Sequence, residues 1–168
     1  MLFSFPKQKG KQMKRLGMVM MLSIITGLLM TTPAAAKAYL PAACQGYGSM
    51  LCASKAQSRV IIVKDGRVVR SGRARFGGVA SDGSGPWNTR NGVHAVGYKQ
   101  ANPVSTLYGV NMPFFVQFSG GQGIHYSAEF AQTGYQYSHG CVGLRNYNFA
   151  RKVYNFAYPG MTVVVTPG

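Results

Sequence analysis

Acidic side chains are nearly missing from this sequence. Asp65, Asp82 and Glu129 stand against eighteen Lys and Arg, a formal net charge of +15 over 168 residues. Five of the bases (Lys7, Lys9, Lys11, Lys14, Arg15) fall in the first fifteen positions, which leaves thirteen bases against three acids, a net of +10, for the remainder. So lopsided a surface draws polyanions. Nucleic acid would be one such partner. The chain has no helix-turn-helix pattern, zinc-finger spacing or RNA-binding aromatic motif, so no nucleic acid is expected. An anionic cell envelope meets the same charge. Histidine is also scarce, with only His94, His125 and His139, and two of the three flank a single cysteine, Cys141. With so few carboxylates, a Cys-His-Asp triad is not expected.

The longest apolar run is short. Behind the basic segment ending at Arg15, Leu16 to Met30 is a charge-free, largely apolar stretch of fifteen residues, followed by Thr31-Thr32-Pro33-Ala34-Ala35-Ala36. Basic, apolar, then small residues is the order of a secretory signal, with cleavage expected after Ala36. The run is shorter than the ~20 residues that span a bilayer comfortably, so an uncleaved membrane tether is the weaker alternative. The protein is expected in the periplasm or cell-wall space. Leu40-Pro41-Ala42-Ala43-Cys44 has the outline of a lipidation site, but a proline stands where such sites carry a small aliphatic residue.

There are three cysteines. After export to an oxidising compartment, Cys44 and Cys52 can close a small disulfide loop. That leaves Cys141 as an odd thiol, either reactive or crosslinking, and its neighbouring histidines favour a reactive group over a buried structural one.

Residues 37–58 are rich in Ala, Gly and Ser and read as an N-terminal arm or linker, with the ordered domain expected over 59–168. Val60-Ile61-Ile62-Val63 reads as a buried strand, and Asp65-Gly66 as a hairpin turn into Val68-Val69 and on toward Phe76. Residues 77–91 form a long Gly, Ser and Asp loop carrying Trp87, the only tryptophan. Trp87 either lines a substrate groove or folds its loop against the core. Val93 to Val96 alternate as a strand in which His94 is an ordinary strand histidine. Met112 to Phe118 reads as a strand begun by Pro113, and Ser119 to Gly123 turns the chain into Ile124-His125-Tyr126. Asn146 is a helix N-cap, with Phe149, Val153 and Phe156 on one stripe. Pro159-Gly160 stops that helix, and Met161 to Thr166 closes the chain as a strand. The sum is mainly β, a sandwich or barrel with one helix packed on it near the C-terminus.

The fragment Ser138-His139-Gly140-Cys141-Val142, with His125 sixteen positions before the cysteine, brings together the residue types of a cysteine acyl-transfer site. The thiol attacks as thiolate, and a nearby imidazole lowers its pKa. His125, held at a strand end, is the expected base. His139 shares a face with Cys141 if the segment is extended and is separated from it if the chain turns. The amides of Gly140 and Cys141 are candidates for holding an oxyanion. A backbone carbonyl, ahead of Glu129, is the expected orienter of the imidazole. His125, His139 and Cys141 could also ligate zinc, but no paired Cys-x-x-Cys or His-x-x-x-His spacing anchors such a site.

Ser138-His139-Gly140-Cys141-Val142 preceded by His125 resembles the signature of the bacterial L,D-transpeptidase catalytic domain. Thr89-Arg90-Asn91-Gly92, Met112-Pro113-Phe114-Phe115, the helix from Asn146 to Phe156 and Pro159-Gly160-Met161-Thr162-Val163 are similar to other segments of that family. The resemblance implies an L,D-transpeptidase-like β-sandwich without metal or other cofactor, acting on peptidoglycan stem peptides. It implies that Cys141 attacks the third residue of a tetrapeptide stem, with His125 as base, and that an amine of a second stem accepts the acyl group. Water as acceptor would make the chain an L,D-carboxypeptidase. Tyr126 would lend its carbonyl to the imidazole, and Ser138 and His139 would shape the pocket. Two departures stand out. Gly143 replaces the family's usual Arg or Asn, a contact then missing unless Arg145 supplies it, and the spacer from His125 to Ser138 is short. Sortases differ by a much longer His-to-Cys separation and a downstream Arg, and papain-like hydrolases by the reverse order. A non-catalytic, basic envelope-binding protein is the remaining alternative.

Overall fold

The computed structural model describes residues 39–168. The signal segment and its expected cleavage site lie outside the described residues. Among these residues the elements follow in the order β1 (Met50–Ser54), β2 (Arg59–Lys64), β3 (Arg67–Gly77), β4 (Gly92–Ala95), β5 (Lys99–Gln100), β6 (Phe115–Ser119), β7 (Gln122–Tyr126), α1 (Ala128–Thr133), β8 (Tyr137–Ser138), β9 (Val142–Leu144), α2 (Tyr147–Phe156) and β10 (Thr162–Thr166). The fold is mostly strand in a curled sheet, as expected.

The sheet runs β4-β10-β1-β2-β3-β9-β7-β6-β5, with β8 beside the end of β3. Its two ends are consecutive parts of one run of chain. Val96 exchanges backbone hydrogen bonds with Met161 and Gly160 next to β10, and one residue on, Gly97 and Tyr98 bond Gln117 of β6. A single passage from β4 to β5 therefore leaves one edge and joins the other, which bends the sheet round on itself and protects its edges.

The Asp65-Gly66 hairpin forms where expected. Both residues have positive φ (51° and 72°), the conformation a two-residue turn needs between right-twisted strands. Asn146 caps α2 by accepting a 2.8 Å hydrogen bond from the Phe149 amide, and Phe149 and Val153 are buried on the sheet. Alternation then sorts β3, β9, β7 and β6. Ala74, Phe76, Val142, Leu144, Ile124 and Val116 enter the main core. Arg75, Gly143, His125 and Phe115 consequently project from the other face.

Three expectations need correction. Residues 50–54, assigned to an arm, form β1, whose five residues are all buried between β10 and β2. Leu51 and Ala53 enter the main core, while Met50 and Cys52 join a smaller cluster with Cys44, Ile61, Val63 and Val164. A strand buried on both faces lacks the polar alternation by which sequence patterns are recognised. Cys44 and Cys52 are disulfide-bonded, tying the segment before β1 to this strand. Second, α1 is a helix that periodicity misses because it has only six residues. Its caps, Ser127 accepting from the Phe130 amide and Gly134 at φ 75°, were the available signal. Third, β6 starts at Phe115, not at Pro113, because Phe114 takes a positive φ of 62°.

If β1 is core, Leu51→Ala should lower stability by about 2–5 kcal/mol in urea melts. A residue on a solvated arm would change it by less than about 0.5 kcal/mol.

Candidate active site

The site is built on the parallel pairing of β7 with β9, whose register sets Ile124 beside Val142 and His125 beside Gly143. Cys141 directly precedes β9, two residues back from Gly143, and the charge of Arg75 acts on both it and His125. Diagonal neighbours of this kind are within reach of a long side chain. Pairing across β3, β9, β7 and β6 lines up Arg75, Gly143, His125 and Phe115 in one outward row. Gly143 leaves a gap in the middle of it.

Arg75 fills that gap. A Cβ on Gly143 would lie 3.0 Å from the Arg75 Cγ and Nε and from the Ser127 Cβ, so a side chain at 143 would have to displace them. Arg75 is 8 % exposed, and its guanidinium donates to Glu129 Oε2 at 2.7 Å and to the Tyr135 carbonyl at 3.4 Å. Its Nε is buried with no partner among the described residues. The family's contact at 143 was expected to be missing unless Arg145 supplied it, and the cation in the gap is Arg75 and not Arg145. Arg145 is exposed and lies over the Phe130 ring at 5.9 Å. Arg75 is the functional candidate that the sequence reading missed, although its place between Ala74 and Phe76 on a strand already set it off the core face.

His125 is 8 % exposed, with the Phe115 ring 6.3 Å away. Its Nδ1 lies 2.7 Å from the Tyr126 carbonyl oxygen. A carbonyl only accepts, so Nδ1 carries the proton and Nε2 keeps a free lone pair. Burial pulls the His125 pKa down to about 4, the Tyr126 bond opposes this, and the charge of Arg75 adds to it. Glu129 belongs to Arg75 instead of orienting the imidazole.

Cys141 is a half-buried free thiol whose Sγ lies 4.0 Å from the Gly121 carbonyl. Burial raises its pKa, while the Gly123 backbone and the charge of Arg75 work in the opposite direction. The expectation of an imidazole-stabilised thiolate is thereby corrected. With both groups desolvated, the resting pair is neutral thiol and neutral imidazole, and the favourable charge nearby is a guanidinium.

Gly140 has φ 114° and turns the chain between His139 and Cys141. His139 is therefore carried away from the sulfur. Its Nε2 lies 2.8 Å from Asp82 Oδ2, and its ring stacks on Tyr108 at 3.9 Å, with Trp87 at 5.9 Å. The hydroxyl and amide of Ser84 hold the Asp82 carboxyl down at about 2, so this carboxylate is charged at neutral pH. Trp87 is exposed beside that pair and donates to Ser84 Oγ, on the rim and not in the core. Ser138 clamps the turn, donating to the Cys141 carbonyl at 2.6 Å and accepting from the Gly140 amide at 3.2 Å. With the Gly140 amide so engaged, the Cys141 amide is the motif's remaining candidate for holding an oxyanion. Buried Thr89 completes the support by donating to the Gly140 carbonyl and accepting from the Gly77 amide, both at 2.8 Å. Asn146 is a helix cap, and His94 bonds the Arg90 carbonyl beside Phe118. Among the described residues no three His, Cys, Asp or Glu side chains converge as metal ligands would.

Because His125 is neutral in the fold with a pKa near 4 and would titrate near 6.5 unfolded, the unfolded chain binds the extra proton first. Stability should hold above about pH 6.5 and fall as pH drops toward 4. Melting temperatures measured against pH should lose this slope in His125→Gln. Alkylation of Cys141 by iodoacetamide should titrate above an ordinary thiol, and higher still in Arg75→Met, which removes the guanidinium. An unchanged titration in Arg75→Met would separate Arg75 from the sulfur.

Residues 49–165 match the L,D-transpeptidase catalytic domain family, YkuD. No curated protein matches the chain. Among solved structures it is similar to an L,D-transpeptidase of Stackebrandtia nassauensis, with 24% identity, 73% of this chain and 57% of that one covered and a TM-score of 0.63. A second is an L,D-transpeptidase from Mycobacterium smegmatis, at 20% identity, 71% and 58% coverage and TM-score 0.61. A third is LdtMt1 in complex with imipenem, at 19% identity, 71% and 59% coverage and TM-score 0.60. The chain thus spans under two thirds of each of these longer proteins, and identities this low show the shared fold. With most of its sequence inside the family's domain and its strands in the family's sheet, the chain belongs to the L,D-transpeptidase catalytic domain family.

Proposed function

We propose that this chain is an exported peptidoglycan L,D-transpeptidase in which Cys141 is the nucleophile and His125 the general base. The observation that supports this is the parallel pairing that sets His125 beside Gly143, two residues after Cys141, with the imidazole proton held on Nδ1 by Tyr126. The bare Nε2 is the atom able to take the thiol proton.

In the first step the Cys141 side chain turns from the Gly121 carbonyl, its proton passes to His125 Nε2, and sulfur bonds the carbonyl carbon of the third stem residue. The oxyanion develops beside the Cys141 amide. Collapse breaks the bond to the terminal D-Ala, whose nitrogen takes the proton from His125. In the second step a side-chain amine of another stem attacks the thioester, gives its proton to His125, and the thiol is restored. Transfer of the proton during attack suits two groups that both rest neutral, since a thiolate–imidazolium pair is not prepaid in this buried setting. Substrate reaches the sulfur past the rim formed by Trp87, Tyr108 and His139. Export to the periplasm or cell-wall space follows from the N-terminal segment, and the protein's basic charge suits an anionic envelope.

Incubation with disaccharide-tetrapeptide should release D-Ala and yield crosslinked dimer. Tripeptide alone would assign water as acceptor and make the chain an L,D-carboxypeptidase. Cys141→Ala should abolish product while leaving the fold intact, whereas a wild type that forms no product yet holds to the envelope would support the non-catalytic envelope-binding alternative. His125→Ala should slow acylation by about 10²–10⁴-fold, and a full rate would remove it from the mechanism. Imipenem should add one adduct to the intact mass of the wild type and none to Cys141→Ala.

A further inference from the structure

Among the described residues, a concentration of unneutralised charge lies away from the cysteine. β3 meets β9 only from Ala74 onward, so beside residues 70–73 the sheet leaves a gap next to the first turn of α2. A cavity of about 380 Å³ occupies it, lined by Arg59, Arg70, Arg73 and Lys152 together with Asn146 and Asn148. No acid lines this cavity. Glu129 is bound to Arg75, Asp82 to His139, and Asp65 sits in the β2–β3 turn. Arg59 and Arg73 are direct cross-strand partners, an arrangement of like charges that destabilises a sheet unless something neutralises it. Arg59 is steadied by the Ser71 hydroxyl at 3.3 Å, and Arg70, Arg73 and Lys152 are solvent-exposed. The positive end of α2 faces the same space.

We propose that this groove binds a linear polyanion of linked phosphates, of the polyol-phosphate class. Linked phosphates are diesters with one negative charge each, so four cations around one cavity match a run of successive phosphates on one chain better than a single ion. The concave form selects a single strand. A bilayer presents a plane, and these cations line a concavity. The groove shares no residue with the Cys141 and His125 pair, so it would hold the domain on its polymer while the sulfur works elsewhere.

The test is titration of the folded chain with poly(glycerol phosphate) at 50 and 200 mM salt. Saturable binding should weaken with salt, as counterion release requires. Arg70→Ala/Arg73→Ala should lower affinity at least tenfold. Lys64→Ala/Arg67→Ala, which removes the same charge from the hairpin tip, should lower it less than twofold. The polymer should raise the melting temperature of the wild type and not that of Arg70→Ala/Arg73→Ala. Equal weakening in the two double variants would overturn the groove in favour of diffuse surface charge. So would anionic vesicles or duplex DNA binding through Arg70 and Arg73 where the polymer does not. Imipenem acylation of Cys141 should be unchanged in Arg70→Ala/Arg73→Ala, which keeps failure of the groove distinct from failure of the proposed chemistry.

Discussion

Parallel pairing of β7 with β9 is the constraint on which the rest of this molecule turns. Cys141 lies sixteen positions after His125 in sequence, and the intervening chain passes through α1, β8 and the Ser138 clamp before returning alongside. Because the two strands run in the same direction with His125 opposite Gly143, the imidazole is brought beside the segment that Cys141 opens. A slip of one residue in that register would turn His125 or Gly143 into the core. The apolar residues that alternate with them, Ile124, Val142 and Leu144, prevent the slip by burial in the main core.

The site that results is partly withdrawn from water, and that sets its chemistry. Desolvation pushes the thiol and the imidazole toward their neutral forms, so the pair rests uncharged. Arg75 is the one permanent charge built into the row, and it reaches that position because Gly143 provides no side chain to block it. Its partner Glu129 sits in the first turn of α1, which links the small helix, β3 and the site in one arrangement. The glycine that looked like a missing contact is therefore the space through which an arginine from another strand enters. His139, adjacent to the cysteine in sequence, is removed from it by the positive φ of Gly140 and joins Asp82 and Tyr108 on the rim.

With only three carboxylates in the whole sequence, most cations have no internal counterion, and where the fold crowds them they become a surface with a preference. The two regions differ physically. One is desolvated and nearly neutral, suited to bond making; the other is solvated and strongly positive, suited to holding a polyanion. Neither needs the other's residues.

Much of this was legible from residue order because the signals were local. The Asp65-Gly66 turn, the Asn146 cap and the stripe of Phe149 and Val153 each depend on neighbours a few positions away. The Ser-His-Gly-Cys string likewise marked the site. β1 escaped notice because a strand buried on both faces shows no polar alternation, and α1 because six residues are too few to display a period. Composition and order alone determined a mainly β domain, a lone thiol near two imidazoles, and a large excess of positive charge. Tertiary structure alone decided which imidazole is brought beside the cysteine's segment, which arginine stands with it, and where the remaining cations gather. Those outcomes depend on strand register and on a single glycine's φ, which are properties of chain segments brought together from far apart and not of any one segment.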